Sequence, residues 1–515
     1  MDATEARPPR YRWLRRLIVA HGVLVVALLG VQLAWGAAME ARLAAAVQEI
    51  RDRGEPVETA DFESPVVADE DNAVWHIQEA LAKWPRVNGL LVIETDWASD
   101  PEDHDDPVED SEAYLAAIAD SLDHIDRAAD ASQVILRSAP ATRPLLLTFD
   151  TSHLLDFRLL SRQLVDAARR EALAGRHGRA AEHLARLVTV SGALRSERSL
   201  AIDLLVAISI DSMIYRGLHE RLAVGDDFAN APFDPVMAAD QSPHAVARLR
   251  DHFVDISSRH AALAESLRWE RLFLIDVYRA VMSHDVSLHG AWPTMGQGVP
   301  ERALVVAMRP HFTRDMVFGL GRYDWLILRL EAEQTWPEFA GSFVELERLE
   351  RQLESNVLHP MMHSSKSGWS AVMRTHFQTQ NRGPVMAVAL AVWMYEADHG
   401  RRPETLDALV PEYLAAVPAD PWASDRRPIG YLPEGAPARW VDGHRMSDLE
   451  VAEARGKFWP VVYSIGIDDE DDGGSPSFYG GLAYSDMAGF REDMGGDEVV
   501  MLDEPPMDLE PMAGE

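Results

Sequence analysis

LLDFRLLSRQLVDAARREALAGRHGRAAEHLARLVTVSGALRSE, residues 154–197, decides the class of this fold. Apolar residues recur three and four apart along it, the spacing that lines one face of an α-helix. Gly175 and Gly178 interrupt the run and mark a turn between two helices. No strand-like alternation competes with this reading, so the chain around it is predicted to be helical.

The same texture extends in both directions. SLAIDLLVAISIDSMIYRGLHERLA, residues 199–223, is apolar nearly all round and predicts a central, buried helix. Further helices are expected over 243–284, 313–333 and 336–353, with a Gly- and Pro-rich loop, MSHDVSLHGAWPTMGQGVPE, between the first two. Upstream, a helix is expected over 72–83, capped by Asp71 or Asn72 and closed by Pro85. An acidic loop over 96–111 follows it. ALAGRHGRAAEHLARL resembles one tetratricopeptide turn, yet no second copy follows at a fixed period. The fold class is therefore mainly α, with a bundle or solenoid-like body over 114–378 and membrane-proximal helices over 39–113.

The N-terminal segment LIVAHGVLVVALLGVQLAWGAA, residues 17–38, carries no charge over 22 residues. About 20 residues of helix cross a bilayer core. Arg7, Arg10, Arg12, Arg15 and Arg16 precede it in a basic segment over 1–16, and Glu40 and Arg42 follow it. The positive-inside rule then predicts a single-pass anchor with the N-terminus in the cytoplasm and the bulk of the chain outside. Membrane lipid is one partner through this anchor. MEARLAAAVQEIRDRGEP continues it as an amphipathic helix that stops at Gly54 and Pro56.

Composition sets limits on function. The 515 residues suffice for roughly three domains. Apolar residues make up 47% and charged residues 26%, as in globular chains. A net charge of −34 argues against nucleic acid as a partner. With no cysteine, there is no disulfide, thiolate metal site or cysteine nucleophile.

The C-terminal part has a different texture. YEADHGRRPETLDALVPEYLAAVPADPW, residues 395–422, reads as a helix ending at Gly400, a short helix opened by Pro403, and an extended path set by Pro411, Pro418 and Pro421. RPIGYL and PVVYSIGIDDEDDGG follow with strand-like apolar residues beside turn signals. Taken together, these segments resemble the C-terminal half of type II secretion major pseudopilins. The resemblance covers roughly 382–474 and implies a small α+β module, here placed over 382–479. It also implies a calcium-binding loop carrying Asp468, Asp469, Asp471 and Asp472; Asp486, in YSDMAGF, is a further candidate ligand by residue type. Clustered carboxylates suit the many oxygen ligands calcium takes, although DDEDDGG lacks EF-hand spacing. An exposed acidic turn is the alternative, because residues 466–515 hold fifteen acids against one base and end in an acidic tail over 480–515. The chain departs from the family in lacking its peptidase site, and over 300 residues separate anchor and module. The whole layout also resembles large uncharacterised single-pass envelope proteins of bacteria.

No H-E-x-x-H, P-loop, G-x-S-x-G or G-x-G-x-x-G arrangement occurs. His359 and His363 in HPMMH read as surface histidines, and Glu270, Arg271 and Asp276 in SLRWERLFLID as an internal ion pair or a solvated face. The sequence therefore predicts a binding or scaffolding protein of the bacterial inner membrane, acting on an envelope protein partner. Two alternatives stand beside it: a diverged secretion or pilus-like component, and an enzyme whose site is assembled from distant helices.

Overall fold

The computed structural model describes residues 12–62, 67–87, 90–91, 107–136, 151–196, 198–219, 233–285, 301–355, 368–437, 440–441, 444–445, 458–466, 471, 477–478 and 498–502. Among them the chain is mainly helical. It runs α1 (Arg12–Asp52), α2 (Ala73–Lys83), β1 (Arg86–Val87), β2 (Leu90–Leu91), α3 (Pro107–Ala117), α4 (Ala119–Asp130), α5 (Ser152–Leu173) and α6 (His177–Ala193). Then come α7 (Ala201–His219), α8 (Pro235–Gln241), α9 (Pro243–Val254), α10 (Ile256–Met282), α11 (Glu301–Ala332), α12 (Trp336–Ser355) and α13 (Trp369–His399). Six short strands close the order: β3 (Gly430–Pro437), β4 (Trp440–Val441), β5 (His444–Arg445), β6 (Phe458–Ser464), β7 (Ser477–Phe478) and β8 (Glu498–Met501).

Local chemistry explains the helix ends. At Gly175, with φ 70°, the amide donates to Ala172 O and the next amide, of Arg176, to Glu171 O. This closes α5 with a left-handed glycine and turns the chain into α6. α1 ends the same way at Gly54 before Pro56. Asn72 caps α2 by accepting from Val74 N, and its amide also exchanges hydrogen bonds with Ile135, clamping the segment after α4. Gly400, with φ 66°, ends α13. Within the stretch read as an acidic loop over 96–111, α3 begins at Pro107, which serves as a first-turn proline.

Helix α1 is long and apolar enough to cross a membrane. Its large apolar side chains from Trp13 to Leu33 are exposed, whereas Val47 and Ile50 are buried against Ile275 and Tyr278 of α10 and Phe312 and Met316 of α11. One continuous helix thus joins an unburied apolar half to the core of the body.

The main core links α2 and α4 through α5–α9 to α13. Every residue from Gly383 to Trp393 is buried, so this half of α13 is fully enclosed, more so than α7, whose Ile202 is 46% exposed. Gly383 permits this enclosure: a Cβ there would meet the Phe253 carbonyl oxygen of α9 at 2.6 Å. Helix α13 starts well before 382 and runs on into the C-terminal part. There its core is completed by Leu406, Leu409, Tyr413, Ile429 and Val462. Strands β3, β6 and β8 form an antiparallel sheet in that order. Residues 498–501 thus form a strand inside the segment read as an acidic tail, because buried Val500 and Leu502 complete the same core.

Candidate functional site

Among the described residues, a dense set of buried ionisable groups lies where α6, α7, α9 and α10 meet. Asp211 of α7 is 1% exposed. Its Oδ2 accepts from Arg195 Nη2 at 2.5 Å, and its Oδ1 accepts from Ser191 Oγ at 2.6 Å. His252 Nε2 lies 3.0 Å from the same Oδ1, and Arg259 Nη1 lies 3.9 Å from Oδ2. Arg259 also donates to the His252 carbonyl. Burial alone would raise the Asp211 carboxyl, but Arg195, then His252 and Arg259, outweigh it and hold it well below the usual carboxylate range. Burial lowers the His252 imidazole despite the carboxylate beside it, so the ring is neutral at pH 7 and donates from Nε2. Burial brings Arg259 down to about 10, which leaves it charged.

A second polar pair adjoins this one. His376 Nε2 of α13 lies 3.1 Å from His260 Nδ1 of α10, with Gln380 Oε1 at 3.3 Å from the latter. Burial pushes both rings below the ordinary histidine range, in His376 with help from His260, Arg195 and Arg259. The chamber between the two groups has about 10 Å³ of free volume, room for about one water. Beside it opens a cleft of about 440 Å³, lined in part by Arg195, Ser196, His260, Arg268 and Gln334. That size falls within the range of small-ligand pockets. Arg195 borders both spaces.

The arrangement does not activate a nucleophile. In a triad the imidazole stands between hydroxyl and carboxylate. Here Ser191 and His252 both bond to Asp211, and Ser191 Oγ in turn accepts from Arg195. The geometry instead ties four helices together around one carboxylate and presents the rim of the cleft. A second cleft, of about 400 Å³, is lined by Arg176, Arg179, Arg186 and His183. Arg176 there pairs with Glu171, and Arg186 with Asp126 at 2.8 Å.

Of the carboxylates predicted to hold calcium, only Asp471 lies among the described residues. It accepts from Arg427 Nη1 at 2.9 Å. Asp468, Asp469, Asp472 and Asp486 lie outside them, as do His359 and His363. No group of three or more acids or histidines placed to hold a metal occurs among the described residues. Arg271, expected in an internal ion pair or on a solvated face, is fully buried and pairs with Glu55 and with Asp324 of α11.

Sequence reasoning missed Asp420, in the PADPW turn. Its carboxylate is buried and accepts from Trp422 N at 2.9 Å, Ser464 Oγ at 2.5 Å and Ile465 N at 2.9 Å. It thereby latches the turn to the end of β6. It missed the Asp211 centre too, whose members come from separate segments. The one available signal was an aspartate inside the apolar run LLVAISID.

Compared with known proteins, the chain matches no protein-family model, no curated protein and no solved structure.

Proposed function

We propose that this chain is a single-pass protein of a bacterial inner membrane whose folded body, outside the cytoplasm, binds or scaffolds an envelope partner. One observation carries the reading. The apolar half of α1 is unburied while its other half is packed into the core with α10 and α11. A leader meant for removal has no need of such packing, and an anchor continuous with the body holds that body at a set height above the bilayer. Five arginines before the span favour the orientation. The open clefts lie on this body and supply the binding surface. Protease added to intact spheroplasts tests the topology. Digestion of the body, with the N-terminal segment protected, is the expected result; a body that resists until the membrane is lysed refutes it.

A secretion or pilus-like role is the second reading, favoured by the order helix, left-handed Gly400, short 3₁₀ turn (Leu406–Leu409), Asp420 latch and antiparallel strands. Calcium at the loop after β6 belongs to this reading. Calorimetric titration of the detergent-solubilised chain with calcium tests the metal. Cleavage of the N-terminus by prepilin peptidase tests the role, and an intact N-terminus counts against it.

A further inference from the structure

The first turns of α11 run beside the anchor as well as against the body, where Val305 is buried in the core shared with α10. Gln32 Nε2 of α1 donates to the Ala307 carbonyl at 2.7 Å, and the Trp35 and His311 rings meet edge-on with centroids 4.6 Å apart. Farther along, Glu40 pairs with Arg309 at 2.7 Å and Arg53 with Asp324 at 3.1 Å. Residue numbers therefore rise together on the two helices, which lie parallel. Close approach is possible because residue 36 is glycine: a Cβ there would stand 3.3 Å from Pro310 Cγ.

Pro310 has no amide to offer the carbonyl one turn back, a defect that is costly away from water. A polar side chain from a neighbouring helix relieves such a break in membranes. The carbonyl that Pro310 leaves without its amide is that of Val306, and Gln32 donates to the adjacent one, of Ala307.

The depth of this contact follows from the helical rise. Ala38 is the last residue of the uncharged span, and Gln32 precedes it by six residues. At 1.5 Å per residue, the Gln32–Ala307 bond lies about 9 Å inside that end of the span, slightly less for a tilted helix. The headgroup layer on each face is only about 5–8 Å thick. Because α11 points toward the bilayer with its N-terminus, residues before Ala307 lie deeper still. Val306, there, is 69% exposed, and the large apolar side chains of α1 from Trp13 to Leu33 are 36–74% exposed.

We propose that the N-terminal turns of α11 are a second membrane contact: they sit in the outer leaflet beside the anchor, with Val306 facing lipid. The occupant of this apolar face is phospholipid. The contact gives the body two points of support on the bilayer and fixes its tilt, where a lone span would let it pivot. This inference rests on the anchor reading above.

The chain has no cysteine, so single labels are unambiguous. Val306→Cys, Leu24→Cys and Val344→Cys, all at exposed positions, are each coupled to an environment-sensitive fluorophore. The full chain is then reconstituted in phosphatidylcholine–phosphatidylglycerol vesicles containing doxyl-labelled lipid. Shallow doxyl groups are expected to quench position 306 to within about twofold of position 24, and position 344 hardly at all. A label at 306 as unquenched as that at 344, with 24 quenched, overturns the inference and leaves the anchor intact. Absence of quenching at 24 overturns the anchor itself. A blue-shifted but unquenched label at 306 means that protein covers this face, a second copy being the candidate, and also overturns it.

Discussion

Replacing Asp211 by asparagine changes one charge while keeping the side-chain shape, and it strikes the only carboxylate bonded within its buried centre. Arg195 and Arg259 are 12% and 4% exposed at their side chains, so both are largely shielded from water. A unit-charge pair about 4 Å apart contributes roughly 4 kcal/mol at the effective dielectric of a protein. Removing one member of a buried pair typically costs about 3–5 kcal/mol, because the partner is left charged and uncompensated. Asp211→Asn is therefore expected to lose about 3–5 kcal/mol, and Asp211→Asn with Arg195→Met to recover part of that loss. Urea unfolding of the detergent-solubilised chain, followed by near-UV circular dichroism, measures it as a lower midpoint at unchanged slope. The Asp211 carboxyl titrates below its unfolded value, so its contribution is full above about pH 4 and fades only as pH falls past that point. A loss under about 0.5 kcal/mol at pH 7 would show that the centre is solvated or differently paired, and the argument would fail.

Three further outcomes are expected. His183 is held down to about 3, first by burial and then by Arg186 and Arg179. A folded value below the unfolded one, about 6.5, means stability is full above 6.5 and is lost on acidification; at pH 5 the loss is about 2 kcal/mol. His183→Gln should flatten the stability profile between pH 7 and 5 by that amount, and an unchanged slope contradicts it. Gly383→Ala drives a methyl group against the Phe253 carbonyl and is expected to cost about 1–3 kcal/mol, read as a lowered thermal midpoint; a neutral effect would mean that α9 yields freely. Asp420→Ala leaves the Trp422 and Ile465 amides buried without their acceptor, a loss of about 1–3 kcal/mol. Hydrogen exchange should show both amides opening faster, and unaltered protection argues against the latch.

Local pattern alone determined a good deal of this protein. The helical class, the turn at Gly175, the cap at Asn72, the end of α13 at Gly400 and the apolar span are legible because each depends on residues within a turn or two of one another. Sterics, capping and periodicity act at that range. The start of α11 was not legible: the pattern predicts a helix only from 313, whereas α11 begins at Glu301 and runs through Pro310, beside which Gly36, far away along the chain, leaves room for the ring. The enclosure of α13, the gathering of Arg195, Asp211, His252 and Arg259, and the latch at Asp420 are of the same kind. They were decided by tertiary structure, because the worth of a buried charge or a missing Cβ depends on what other segments bring beside it.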